Sequence, residues 1–263
     1  MTDFQQTYGP WAVVTGASAG IGRACADDLA QRGLSLVLVA RRDDRLQTLA
    51  DDLAARHGTE ARAVAADLAT PEGLDAIEAA TADLDVGLLV AAAGFGTSGR
   101  FVEADLGPEL TMLDVNCRAV VRQAHHFGRR FATRGRGGLV LFGSIVGFQG
   151  TPFSAHYAAT KAFIQTLAEG LHLELASAGV DVISSAPGPV ATEFAEVADM
   201  QMGATVNPAQ VARATLDGLG KRGTVYPGLL TKVLSGSLAL LPRWGRARVM
   251  QQVMGGMTQH QRG

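Results

Sequence analysis

A chain of 263 residues can bury most of its apolar surface in one large domain or two small ones. Hydrophobic residues make up 47% and charged residues only 18%, which excludes a disordered tail, and a net charge of −2 gives no electrostatic footprint for nucleic acid. Two cysteines, Cys25 and Cys117, are too few for a disulfide framework and lack metal-ligand spacing, so they read as buried thiols and no metal is expected.

Met1 to Trp11 is polar and holds no apolar core, so no targeting segment is read there. Trp11–Val14 is a predicted strand and Ile21–Arg32 a helix. Leu34–Ala40 is a second strand, Asp43–His57 a helix, Ala61–Ala65 a third strand and Pro71–Ala80 a helix. Val86–Ala92 is a fourth strand. Within it begins the longest unbroken apolar run, Leu88–Ala93, far short of a membrane span. A long helix is read over Leu106–Arg134, then a strand over Gly138–Phe142, a helix over Tyr157–Ala178 and a strand over Val180–Ser184. Strands apolar on both faces and separated by helices demand a parallel sheet covered on both sides. With no linker or composition break, the expectation is one α/β domain over residues 1–263, of the doubly wound Rossmann type, cytoplasmic and without an integral membrane segment.

The first strand–helix turn reads Thr15-Gly16-Ala17-Ser18-Ala19-Gly20-Ile21-Gly22. Glycines there allow the tight turn and the close approach of backbone to a pyrophosphate at the positive end of the next helix. A dinucleotide is therefore expected, held by Gly16, Gly20, Ile21 and Gly22. The second strand ends in Arg41 and Arg42, where a carboxylate would favour the free ribose hydroxyl of NAD. Arginine suits a phosphate instead, so NADP(H) is preferred, with Arg41 as main ligand and Ser18 and Arg42 as helpers. Asp67, after the third strand, is read either as an acceptor for the adenine amino group or as the cap of the following helix.

Tyr157 and Lys161 are spaced one helical turn apart, so they share a face, and Ser144 follows the fifth strand, at the end where such sheets bind ligands. A phenol is a willing proton donor at neutral pH, and a nearby ammonium lowers its pKa. Lys161 is also placed to donate to the nicotinamide ribose. The trio reads as the acid, its tuner and an oxyanion contact for carbonyl reduction.

Thr15-Gly16-x-x-x-Gly20-Ile21-Gly22, Ser144, Tyr157-x-x-x-Lys161 and Pro187-Gly188-Pro189-Val190 together resemble the short-chain dehydrogenase/reductase family, over roughly residues 10–230. The resemblance implies the roles just given for Ser144, Tyr157 and Lys161. It also implies that Asn116 holds a water relaying protons to the lysine, and that Pro187, Gly188, Val190 and Thr192 hold the nicotinamide carboxamide. It places a substrate lid over residues 193–210 and points to a homodimer or homotetramer built through the two long helices. The chain departs from the family at Ala91-Ala92-Ala93-Gly94, where Asn-Asn-Ala-Gly is usual; Ala93 and Gly94 remain cofactor-contact candidates.

His156, beside Tyr157, points about 100° away on a helix and is read as packing or solvent-facing. His125 and His126 are read as surface or subunit contacts. Met200 and Met202 suit either an adaptable apolar pocket or plain core filling. In the C-terminal extension over 230–263, the basic amphipathic stretch from Leu238 to Met257 is read as a helix over the active-site mouth or against another subunit, in preference to a membrane-surface contact. The leading expectation is an NADP(H)-dependent oxidoreductase interconverting a small-molecule ketone or aldehyde and its alcohol. The rivals are a carbon–carbon double-bond reductase or epimerase on the same fold, and a catalytically silent NADP(H)-binding regulator.

Overall fold

Every expected strand forms, and all lie parallel. The computed structural model of the chain describes residues 3–262, so Met1, Thr2 and Gly263 of the expected domain lie outside the described residues. Strands β1 (Trp11–Thr15), β2 (Ser35–Ala40), β3 (Ala61–Ala65), β4 (Val86–Ala91), β5 (Gly137–Phe142), β6 (Val180–Ser185) and the short β7 (Thr224–Val225) make one sheet in the order β3-β2-β1-β4-β5-β6-β7.

Alternate strand residues feed two cores, which is why the strands show no polar alternation. Val14, Leu38, Leu88 and Ile183 pack with α2 (Gly20–Gln31), α3 (Asp43–His57) and α9 (Pro208–Gly218). Val13, Val37, Leu89 and Val182 pack on the opposite face with α4 (Pro71–Ala80), α6 (Ala119–Arg134) and α7 (Ala155–Leu175). Helix starts follow local chemistry: the Thr70 side chain caps α4 by accepting from Gly73 N, and Asn207 caps α9 by accepting from Ala209 N. Among the described residues, no helix is long and apolar enough to cross a membrane.

Four features depart from the expected elements. Residues before the first strand form a short helix, α1 (Asp3–Tyr8). The long helix is not continuous: α5 (Leu106–Leu113) passes into α6 through a π-helical turn at Asp114–Arg118. A four-residue helix, α8 (Phe194–Val197), stands at the start of the expected lid. Beyond β7 the tail folds as two helices, α10 (Leu229–Ala239) and α11 (Arg243–Met257), broken at Pro242, which cannot donate to a continuing helix.

Strands β1 and β4 are neighbours although two strand–helix units separate them in the chain. This reversal opens a crevice over their carboxyl ends, where doubly wound sheets take their ligands.

Candidate active site

The glycine loop after β1 is shaped by contacts that no side chain would tolerate. Gly16 has φ +69°, and a Cβ there would lie 2.8 Å from Ala93 Cα, so the loops after β1 and β4 meet backbone to backbone. A Cβ at Gly22 would lie 2.3 Å from Gly16 O, which closes α2 onto the turn. Thr15 Oγ1 accepts from Ala93 N at 3.3 Å and ties the same two loops. The result is a backbone cradle at the N-terminus of α2, open to a pocket of about 900 Å³.

That pocket brings nearly all the expected site residues together. Gly16, Ser18, Gly20, Ile21 and Gly22 line one end with Arg41, Arg42 and Asp67. Ala93, Gly94, Ser144, Tyr157 and Lys161 line its middle, with Pro187, Gly188, Val190 and Thr192 opposite. Asn116 alone does not reach the wall.

Beside the glycine loop, Arg42 donates to Ser18 Oγ at 3.1 Å and to Glu193 at 3.0 Å, and Arg45 donates to the other oxygen of Glu193 at 2.7 Å. These two cations hold the Glu193 carboxyl below the usual carboxylate range. Arg41 lies exposed at the pocket edge. Asp67 does not cap α4, a role taken by Thr70; its carboxylate accepts from Ala69 N at 3.0 Å in a tight turn beside the pocket. Sequence reasoning missed Arg45 and Glu193, whose only signal was charge.

The candidate catalytic trio is set by β5 and α7. Ser144 leaves β5 buried, its hydroxyl donating to Pro187 O at 3.4 Å and lying beside the Tyr157 phenol. Lys161, one turn along α7, is buried with Nζ donating to Phe142 O at 2.9 Å and lying 5.6 Å from the centre of the Tyr157 ring. Burial draws the ammonium down from 10.5 to about 8. Burial also raises the Tyr157 phenol, the neighbouring Ser144 hydroxyl only partly opposing it. The expected lowering of the phenol by Lys161 is not found: desolvation sets the direction, and Tyr157 is held protonated.

Asn116 sits on the π turn, where the extra residue swings its amide toward the loop after β4. Its Oδ1 accepts from Phe95 N at 3.1 Å, and its Nδ2 donates to Phe95 O at 2.8 Å and to Thr160 Oγ1 at 3.1 Å. With Thr15, this clamp holds the Ala-Ala-Ala-Gly loop where the family pattern has asparagines. A Cβ on Gly94 would meet Asn116 Oδ1 at 2.9 Å and Lys161 Nζ at 3.6 Å, so glycine is required between clamp and lysine.

His156 turns away from the pocket, with Nδ1 2.6 Å from Glu109 Oε2. His126 stands 3.6 Å from Glu78 in a polar surface groove that His125 also lines. Cys25 and Cys117 are both buried.

The far half of the pocket is apolar. Met200 from the lid packs with Met250 and Met254 of α11, and Met202 and Phe194 lean on the same cluster. Gln201 N donates to Met257 O at 2.9 Å, and Gln261 Nε2 donates to Asp199 O at 2.6 Å, which joins the segment around Met200 to the tail. Leu234 and Leu238 of α10 complete the wall, so the tail closes one side of this pocket.

With this geometry in place, comparison with known proteins is decisive for the family. Residues 10–202 match the family model described as short chain dehydrogenase. The chain belongs to the short-chain dehydrogenase family. A 7beta-hydroxysteroid dehydrogenase of Clostridium sardiniense is 33% identical over 234 residues, 88% of this chain and 90% of that protein. A structure described under 7beta-hydroxysteroid dehydrogenase stereoselectivity superimposes with a TM-score of 0.87 at 27% identity, covering 95% of this chain and 99% of that one. A short-chain dehydrogenase from Sphingobium yanoikuyae, solved with NADPH, gives a TM-score of 0.80 at 32% identity, covering 89% and 97%. This short-chain dehydrogenase is accordingly an oxidoreductase acting between carbonyl and alcohol on a small molecule, in a family that binds a nicotinamide cofactor. The matched range ends before α9, β7, α10 and α11, and the last two of these helices supply much of the apolar wall.

Proposed function

We propose that this short-chain dehydrogenase uses NADP(H) to interconvert a bulky, apolar ketone and its secondary alcohol. The observation that carries the reading is the convergence of Ser144, Tyr157 and Lys161 at the junction of a glycine-backbone cradle and a methionine-rich chamber.

The residues present fit the dinucleotide. Gly16, Gly20 and Gly22 leave backbone exposed where a pyrophosphate would rest on the N-terminus of α2, with Ile21 beside it. Arg42, Ser18, Arg45 and Arg41 would hold a ribose 2′-phosphate, Asp67 the adenine end, and Ala93, Gly94, Pro187, Gly188, Val190 and Thr192 the nicotinamide end. When bound, the cofactor supplies or accepts the hydride. Ser144 donates a hydrogen bond to the substrate oxygen and fixes it beside the phenol. Tyr157 gives its proton to that oxygen as negative charge grows there, and the Lys161 ammonium beneath the ring stabilises the phenolate left behind. Asn116 acts as a positioning residue, clamping Phe95 and Thr160 so that Gly94 and Lys161 stay in register. In the oxidative direction each proton movement reverses.

The lid over residues 193–210 and the tail enclose the substrate. The similarity to 7beta-hydroxysteroid dehydrogenases supports a rigid polycyclic or comparably large alcohol. Exposed apolar residues on α5, α6 and α7, among them Leu106, Leu110, Val121 and Phe163, suit a cytoplasmic homodimer or homotetramer assembled through those helices.

The test is NADPH and NADH oxidation against ketones graded in size up to oxosteroids, with Tyr157→Phe alongside. Turnover with NADPH on the larger ketones, abolished in the variant, supports the reading. Preference for NADH removes the phosphate assignment, and binding without turnover on any ketone removes the reaction.

A further inference from the structure

Charge is distributed very unevenly along the chain. Residues 218–263 carry seven of its 23 lysines and arginines and none of its 25 aspartates and glutamates, which leaves sixteen basic against 25 acidic residues before them. This basic segment contains α10 and α11, whose outer faces are also apolar. Leu229 is 78% exposed, Leu240 at the bend between the helices 87%, and Trp244 70%. Lys232, Arg243 and Arg248 are exposed among them, and the Arg248 guanidinium lies 5.9 Å from the Trp244 ring centre.

We propose that the outer face of α10 and α11 docks on an anionic lipid bilayer. Three observations favour this occupant. Trp and Leu projecting among basic residues, from a segment with no carboxylate of its own, is the chemistry of an interfacial surface: the apolar groups enter the headgroup boundary while lysine and arginine meet anionic lipid. A second copy is a poor fit, because a two-fold contact on this face sets Arg243, Lys232 and Arg248 against their own kind with no carboxylate from the segment to neutralise them. The face is also continuous with the substrate chamber. Val249 and Val253 line the pocket and emerge at the surface, and α10 turns Leu230, Leu234 and Leu238 inward while Leu229 and Val233 face out. Docking there sets the apolar chamber beside the phase into which apolar substrates partition.

Sedimentation of the full-length protein with vesicles tests this, comparing phosphatidylcholine alone with an equimolar mixture of phosphatidylcholine and phosphatidylglycerol. The protein is expected to sediment with the anionic vesicles only, and to be released by high salt. Each surface charge removed should weaken partitioning about fivefold, so Lys232→Gln/Arg243→Gln/Arg248→Gln should lose roughly 100-fold. In a Trp11→Phe background, Trp244 emission should shift to the blue on the anionic vesicles. Matching thermal unfolding midpoints show that the triple variant is folded; a second variant, Leu240→Ser/Trp244→Ser, reports the apolar half independently. Failure to sediment, equal binding to both vesicle types, or undisturbed Trp244 emission would overturn the proposal. So would an oligomer in solution that Leu240→Ser/Trp244→Ser dissociates, since the face is then covered by protein.

Discussion

Glu193, which opens the segment proposed as a lid, accepts hydrogen bonds from both Arg42 and Arg45, one on each carboxylate oxygen. An anion thus already stands in the arginine fork beside the glycine-loop end of the pocket, and Arg42 is further fixed by Ser18. A ribose 2′-phosphate entering this fork competes with Glu193 for the same donors. All three side chains are partly exposed, so the effect is moderate. Glu193→Gln is expected to lower KM for NADPH about two- to fivefold and leave KM for NADH unchanged. Arg42→Ala or Arg45→Ala is expected to raise KM for NADPH about tenfold with little change for NADH. Steady-state kinetics with both cofactors checks the pair, and equal effects on NADPH and NADH would dissolve the link to the phosphate.

Tyr157 and Ser144 make a second pair whose disruption has a definite sign. Burial keeps the phenol protonated through the neutral range, as a proton donor requires. Tyr157→Phe is expected to lower kcat for ketone reduction by about a thousandfold or more while NADPH still binds. Ser144→Ala removes an oxygen contact but not the proton, and a smaller loss, about a hundredfold, is expected. Rapid-quench turnover beside a fluorescence titration of NADPH separates chemistry from binding.

Much of this arrangement was legible in the sequence, for identifiable reasons. Strands buried on both faces leave unbroken apolar runs such as Val86–Ala91, and the Tyr157–Lys161 spacing fixes a shared helix face without any tertiary information. Contacts between distant segments leave no such trace. The Glu193 pairings join residues far apart in the chain, and the π turn at Asn116 hides inside ordinary helical periodicity. Strand β7, two residues long, is below what an apolar run can signal. Helices α10 and α11 present apolar residues both to the pocket and outward, so their pattern lacks the single stripe that marks a helix docked on one core.

Lys161, proposed as the tuner of Tyr157, also affects stability through its depressed pKa. The folded-state value is about 8 against an ordinary 10.5, so between these pH values the unfolded chain binds more protons than the native protein. Stability therefore gains with pH across that window, and below it the buried ammonium is a net cost. Lys161→Met removes that cost but leaves Phe142 O without its donor. The expected balance is a gain of about 1–2 kcal/mol at pH 7, shrinking as pH rises through 8 to 10, together with loss of activity. Urea unfolding at several pH values checks it; a variant less stable than the parent at pH 7 would show that the hydrogen bond outweighs the desolvated charge.

Asn116 tests positioning without touching the reacting groups. Its amide is buried and makes three hydrogen bonds that hold Phe95 and Thr160. Asn116→Ala is expected to cost about 2 kcal/mol of stability and to raise KM for the cofactor, because Ala93 and Gly94 lose their anchor. Asn116→Asp keeps the acceptor for Phe95 N yet sets a carboxylate against Phe95 O, so it should restore neither property. Thermal unfolding and cofactor titration read the two effects separately.

The proposed substrate class rests on pocket size. The chamber beyond Tyr157 is walled by Met200, Met250 and Met254, flexible side chains that adapt to a large apolar body but offer a small one little contact. Val253 lines the chamber where it opens at the surface, so a larger side chain there narrows the mouth without overpacking a core. Val253→Trp is expected to reduce kcat/KM for a polycyclic ketone by about tenfold or more while leaving a small ketone such as cyclohexanone within about twofold. The two substrates share Ser144, Tyr157 and Lys161, so only the enclosing wall distinguishes them. Equal losses on both would place the bulky substrate elsewhere and return the chamber to plain core filling.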